Sequence, residues 1–300
     1  SRLSANEQYL ALRDDDVAVR DQLRASLKAA DVGAPVAYPL TDLDQIDDLR
    51  DDRWHLRYRC HAAKTASSVR ICPVGDPEAD RDMVVIGDSH VGQWLPALDD
   101  IGRQRGYRVV PLVKLGCTPF DVPVKWDDLP YTECTTFRTW VRDRVAELDP
   151  ALVVVGSRGL QRNITVPEAE RETAWRAGAV TTLQGLAPHG GRLVVLSDVP
   201  ALGADPVECV TDPRATMTRC TTTADPRVLA ANRLTADAAR EVGATFVEVD
   251  RLACLDRRCP AVAGGRMVYA NADHLSVAWA RRVAVELDDR LVEAGGLGRA

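Results

Sequence analysis

The sequence predicts an α/β domain, a three-layer α/β/α sandwich around a central, mostly parallel five-stranded sheet, with an N-terminal helical extension. Three observations carry this. From residue 81 onward, apolar runs of strand length alternate with amphipathic helical stretches, the pattern of a parallel sheet covered on both faces. The runs are continuous and rich in β-branched residues, as strands buried on both faces are. The 300 residues, 46% of them hydrophobic, suffice for one large core with an appended segment.

The elements follow in order. Residues 5–31 space Tyr9, Leu10, Leu12, Val17, Val19, Leu23 and Leu27 as a helix does. Residues 33–80 read as irregular, with Gly33, Pro35, Pro39 and a first pair of cysteines. Residues 1–80 are therefore expected to form an extension packed on a main domain of residues 81–300. Strands are expected at 83–86, 107–113, 152–155, 192–196 and 245–249. Helices are expected near 91–104, 135–148, 167–186, 226–242 and 276–293. An active site in such a sheet lies beyond the carboxyl ends of the strands.

The net charge of -6 and the pI near 5.5, with acidic and basic residues interleaved, give no footprint for nucleic acid. No apolar run is long enough to span a membrane, and the start, SRLSANEQYL, is too polar for a signal peptide. A mature or excised soluble piece is therefore expected. The eight cysteines fall as four close couples without zinc-like spacing, so a structural metal is not expected. The couples point to bridges Cys60–Cys72, Cys117–Cys134, Cys209–Cys220 and Cys254–Cys259, and four bridges imply an oxidising, extracytoplasmic location.

Two segments carry chemistry. In Gly87-Asp88-Ser89-His90 a serine follows a buried strand and opens a helix. Free N–H groups there favour developing negative charge, which suits a nucleophile attacking an ester carbonyl. The same serine could equally serve as a helix cap. The second segment, Tyr269-Ala-Asn271-Ala-Asp273-His274-Leu-Ser276, lies before the last helix, with Ser276 placed to cap it. His274 is one of five histidines and pairs with Ser89 as the natural general base, because a serine hydroxyl needs an imidazole to take its proton. Asp88 reads as a brace for the turn and His90 as a site wall. The tryptophans form no spaced stripe.

Together these residues resemble the SGNH (GDSL-like) hydrolase superfamily, and more narrowly the SGNH domain carried behind acyltransferase family 3 membrane proteins. Gln93-Trp94-Leu95-Pro96-Ala97-Leu98, Lys114-Leu-Gly116-Cys117-Thr-Pro119 and Ser197-Asp198-Val199-Pro200 support the resemblance, which covers about residues 55–295. It implies an oxyanion hole from the N–H groups of Ser89 and Gly116. The superfamily often adds an Asn after the third strand, but this chain has Gly156-Ser157-Arg158 there, and Asn163 comes too late to be nominated. Ser157 and Arg158 are expected as walls. The superfamily's orienting acid, three residues before the histidine, is here Asn271. Its side-chain oxygen can accept the imidazole N–H but stabilises an imidazolium less than a carboxylate would. Asp273 is the alternative orienting residue.

The resemblance implies an extracytoplasmic O-acyltransferase domain that moves an acyl group, acetyl above all, through Ser89 onto a carbohydrate or glycolipid hydroxyl of the cell envelope. The implied donor is a membrane-embedded acyltransferase domain to which this domain is tethered, and no metal or organic cofactor is expected. Two alternatives stand beside it: a carbohydrate O-acetylesterase with the same Ser-His chemistry, and a catalytically weak carbohydrate-binding module.

Overall fold

Buried β-branched runs form the centre of a seven-stranded sheet. In a computed structural model, which describes residues 17–36, 46–189 and 191–298, the sheet strands are β1 (His61–Ala62), β2 (Val74–Gly75), β3 (Asp82–Gly87), β4 (Arg108–Lys114), β5 (Leu152–Gly156), β6 (Leu193–Leu196) and β7 (Thr245–Val247). Their order is β1-β4-β3-β5-β6-β7. All these pairings are parallel, and β2 runs antiparallel on the outer edge of β4. The strand order reverses around β3, so its carboxyl end lies at the crevice where such sheets carry their sites.

The α-helices of the described residues are α1 (Val19–Asp31), α2 (Ile46–Asp51), α3 (Trp54–Tyr58), α4 (Ser89–Gly92), α5 (Leu95–Arg105), α6 (Thr132–Leu148), α7 (Arg171–Leu186), α8 (Pro206–Thr211), α9 (Pro226–Glu241), α10 (Val277–Arg282) and α11 (Ala284–Glu293), and three two-stranded sheets and three short 3-10 helices lie in the loops. The two faces of β3 divide the core. Met83 and Val85 pack with Leu23 of α1, Leu98 of α5, Trp279 of α10 and Leu287 of α11. Val84 and Ile86 pack with Phe137 of α6, Trp175 of α7 and Ala238 of α9. Both faces being covered, the one polar residue of β3, Asp82, stands at its start, where it accepts from Arg108, and the run 83–86 reads as unbroken.

The first 80 residues differ from the expectation. Residues 5–16 of the predicted helix, and Pro39, lie outside the described residues, and the rest of that helix is α1. The stretch read as irregular holds α2, α3, β1 and β2, so a boundary at residue 80 falls inside the central sheet. Two-residue strands carry no periodicity by which to recognise them. Lys114, fully buried at the end of β4, fastens this segment. Its ammonium donates to the carbonyls of Ala63 at 2.6 Å, Lys64 at 2.7 Å and Ala66 at 2.7 Å. A buried ammonium needs such acceptors, and burial lowers its proton affinity.

The four disulfides join the couples expected, Cys60–Cys72, Cys117–Cys134, Cys209–Cys220 and Cys254–Cys259. The second ties the loop after β4 to α6. Among the described residues no helix is long and apolar enough to cross a membrane.

Candidate active site

Gly87 ends β3 with φ +149°, and a Cβ there would lie 1.9 Å from the carbonyl oxygen of Gly156 on β5. Only glycine lets the two strands close at this point. Asp88 caps α4, and its carboxylate accepts from the N–H of His90 at 2.8 Å and of Arg158 at 3.0 Å. The Ser157 hydroxyl lies 3.0 Å from the same carboxylate, and the Gln161 amide also donates to it. Burial pushes the Asp88 carboxyl up, against these donors. The carboxylate thus braces the turn, as its position suggested. Ser89, partly exposed, is the first residue of α4, so its N–H has no partner within the helix.

His274 meets Ser89 from the other end of the chain. Its Nε2 is 2.8 Å from Ser89 Oγ, and its Nδ1 is 3.1 Å from Asn271 Oδ1. The Asn271 oxygen also accepts the backbone N–H groups of Asp273 and His274, each at 2.9 Å. This local turn settles which end of the amide faces the ring, because only the oxygen accepts from N–H. The proton of the neutral imidazole therefore sits on Nδ1, and the Nε2 lone pair faces the serine hydroxyl. Asp273, the alternative orienting residue, does not reach the ring: its Oδ1 accepts from Arg158 Nη2 at 2.8 Å. A side chain adjacent to the histidine points away from it here, toward a guanidinium.

The proton affinity of His274 is held well below the usual imidazole value, by burial first, then by the charges of His90, Arg158, His55 and Arg53. The ring is consequently free of the second proton near neutrality, the state a general base requires.

His90 stands beside His274. Its ring lies edge-on to His274 with centroids 5.1 Å apart, and its Nδ1 is 2.5 Å from Asp198 Oδ1. Both side chains are only 2% exposed. Burial opposes charge on His90, yet attraction to Asp198 and the hydrogen bond between them hold its proton affinity above the ordinary value. Asp198 is fixed in turn by the Gly159 N–H at 2.8 Å and by Asn232, whose side chain bonds both backbone groups of Asp198. Asp198 was visible only as part of Ser197-Asp198-Val199-Pro200, with no role attached.

Gly116 follows β4 with φ +69°, and the Trp126 ring covers it so closely that a Cβ would lie 2.5 Å away. No Asn stands directly after β5. Asn163, later in the same loop, nevertheless returns to this place and donates from Nδ2 to the Gly116 carbonyl at 3.2 Å. Ser157 is buried against Asp88 and Thr118, and Arg158 joins Asp88 through its N–H and Asp273 through its guanidinium. Spacing alone missed Asn163, Asp198, Arg53 and His55. Among the described residues no three His, Cys, Asp or Glu side chains gather as metal ligands.

A groove of about 650 Å³ lies elsewhere, lined by Ser197, Asn232, Arg233, Asp250 and Arg257 among others, and includes neither Ser89 nor His274.

Residues 59–289 match the family described as the SGNH domain (fused to AT3 domains). The periplasmic domain of a lipopolysaccharide acetyltransferase from Salmonella ser. Paratyphi A is similar in fold, with a TM-score of 0.60 at 12% identity over 84% of this chain and 98% of that one. A mutant of the acetyl-xylooligosaccharide esterase Axe2 from Geobacillus stearothermophilus matches over 73% of this chain and 96% of that one, at 14% identity and a TM-score of 0.45, too low to bear on the argument. No curated protein matches the sequence.

Proposed function

We propose, for a chain that belongs to the family of SGNH domains fused to AT3 domains, that Ser89 receives an acetyl group as an ester and passes it to a carbohydrate or glycolipid hydroxyl. The observation that carries this is the relay Ser89 Oγ–His274 Nε2 at 2.8 Å with His274 Nδ1 on Asn271 at 3.1 Å. His274 takes the Ser89 proton as Oγ attacks the donor's acyl carbonyl, and the N–H groups of Ser89 and Gly116 face the oxyanion. The tetrahedral intermediate collapses, and the leaving group departs with the proton from His274. The acceptor hydroxyl then gives its proton to His274 and attacks the acetyl carbon, and Ser89 leaves as its hydroxyl is restored. Asn163 holds Gly116 from behind, and Asn271 keeps the ring in the productive tautomer.

The family's fusion to AT3 domains supports a membrane-embedded domain as acyl donor and tether. Four disulfides support an oxidising, extracytoplasmic location. The likeness in fold to the periplasmic domain of a lipopolysaccharide acetyltransferase is consistent with an envelope carbohydrate as acceptor.

The test is incubation with a chromogenic acetyl ester, with and without an oligosaccharide, following intact mass. An acetyl adduct that appears on the protein, moves to the sugar and is absent from Ser89→Ala is the expected result. That variant should keep its thermal stability, since a partly exposed turn serine buries little. Acetate release without sugar acetylation would instead make water the acceptor, and full turnover by Ser89→Ala would refute the nucleophile.

A further inference from the structure

The segment around α3, expected as a linker, is built into the catalytic end of the sheet. Asp52 accepts the N–H of Ala278 at 2.9 Å through its carboxylate and that of Val277 at 3.2 Å through its carbonyl, which docks it on α10 just after the His274 loop. Trp54 fills the space under α4: a Cβ at Gly92 would lie 2.3 Å from its ring. Sheet register pairs His61 with Val113, and Val113 with Gly87, so His61 stands level with the residue that opens the nucleophile turn. The imidazoles of His55 and His61 are edge-on at 6.2 Å, each near 5.8 Å or closer to Trp54. His55 and Arg53 are near enough to His274 to lower its proton affinity.

This cluster holds buried polar atoms without partners. Arg53 Nε and His61 Nδ1 are buried with no hydrogen-bond partner. Among the described residues the one carboxylate near the Arg53 guanidinium is Asp51, at 3.8 Å and itself 74% exposed. Arg158, at the same site, is by contrast matched by Asp273 at 2.8 Å. An unpaired buried polar atom is costly, and native proteins keep one where a ligand or water completes it. Burial lowers the proton affinity of both His55 and His61, which favours the neutral ring with one N–H near neutrality. A guanidinium whose carboxylate partner is distant and exposed, beside two such rings, is complementary to a group that accepts, a carboxylate, more than to hydroxyls that must also donate.

The geometry points to an acceptor subsite at Arg53, His55 and His61 that holds the carboxylate of an acidic sugar while a neighbouring hydroxyl meets acetyl-Ser89. This rests on the reading that Ser89 is acylated and passes its acyl group to a sugar. The experiment partitions acetyl-enzyme, formed from para-nitrophenyl acetate, between trigalacturonate and xylotriose. The ratio of the two KM values is the readout, so a change in acylation common to both acceptors cancels. Wild type should favour trigalacturonate by about tenfold or more, the scale of one charge-assisted hydrogen bond. Arg53→Gln and His55→Phe should each erode that preference. Equal KM values in wild type, or a preference intact in both variants, overturns the subsite. If wild type forms no acetyl-enzyme, the acylation reading fails by itself, and calorimetric titration with trigalacturonate decides the subsite. Binding that is lost in Arg53→Gln upholds it, and no binding overturns it.

Discussion

Replacing Asn271 by Asp tests what sets the strength of the base. His274 is depressed by burial and by four cationic or ionisable neighbours, and among the described residues no carboxylate is hydrogen-bonded to its ring. Asn271→Asp places one about 3.1 Å from Nδ1, if the carboxylate keeps the geometry of the amide oxygen. Opposite charges about 4 Å apart in an effective dielectric of about 20 attract by about 4 kcal/mol, or about three pK units, and desolvating the new carboxylate takes back part of this. The proton affinity of His274 should therefore rise by about 1–3 units. A general base works when deprotonated, so a higher value moves the acidic limb of the pH–rate profile to higher pH.

The gain in kcat has a ceiling that follows from the same turn. In a Ser-His-Asp triad, exchanging Asp for Asn costs about 10⁴ in rate because it imposes the wrong tautomer. Here the backbone N–H groups of Asp273 and His274 already turn the amide oxygen toward the ring. Asn271→Asp therefore adds charge without correcting a tautomer, and kcat on the plateau should rise by about 10–100-fold, well short of that figure. The assay is kcat and kcat/KM for para-nitrophenyl acetate across the range in which histidine titrates. Asp273→Asn is the control of opposite sign. It leaves Arg158 unbalanced near His274 and should move the limb to lower pH. An unmoved limb and unchanged kcat in Asn271→Asp would refute the reasoning, because the ring would then be held by something other than Asn271.

Asp198→Asn should discharge His90 and remove a cation beside His274, raising the acidic limb by about a unit or less; a limb that stays in place while kcat falls would reduce the pair to a packing role. Gly87→Ala should lower stability by about 2–5 kcal/mol, since the methyl group meets the Gly156 carbonyl at 1.9 Å in a conformation that strains any L side chain. Its urea unfolding midpoint reads this directly, and a wild-type midpoint would show that β3 and β5 do not close as described.

What could be read from the sequence is what depends on neighbours along the chain. Runs such as 83–86 and 152–155 announce buried strands because both faces demand apolar side chains. Ser89 is legible because a strand, a glycine and a helix start in succession, and Asn271 because a short turn brings a residue three positions earlier onto the ring. β1 and β2 were not legible, each being two residues paired to the edge of β4. Asn163 was judged too late by counting from the strand, yet its loop turns back to Gly116, with Gln161 anchored on Asp88 on the way.

The contacts that tune the site escape such reading for a related reason. His90 meets Asp198 across 108 residues and Arg158 meets Asp273 across 115, and each pair is made when strand ends converge rather than by local spacing. The two kinds of contact do different work. On the proposed reading, local geometry supplies the nucleophile, the base and its tautomer, which suffices for the reaction to be possible. Long-range contacts from α3, from α4 and from the loops after β5 and β6 set how readily His274 holds a proton, and hence where on the pH scale the reaction runs. Two chains that share the Gly87-Asp88-Ser89 and Asn271-to-His274 patterns but differ at Arg53, His55, Arg158 or Asp198 should therefore share a mechanism and differ in pH optimum. Substitutions at those four positions should move the acidic limb while leaving the identity of the nucleophile untouched.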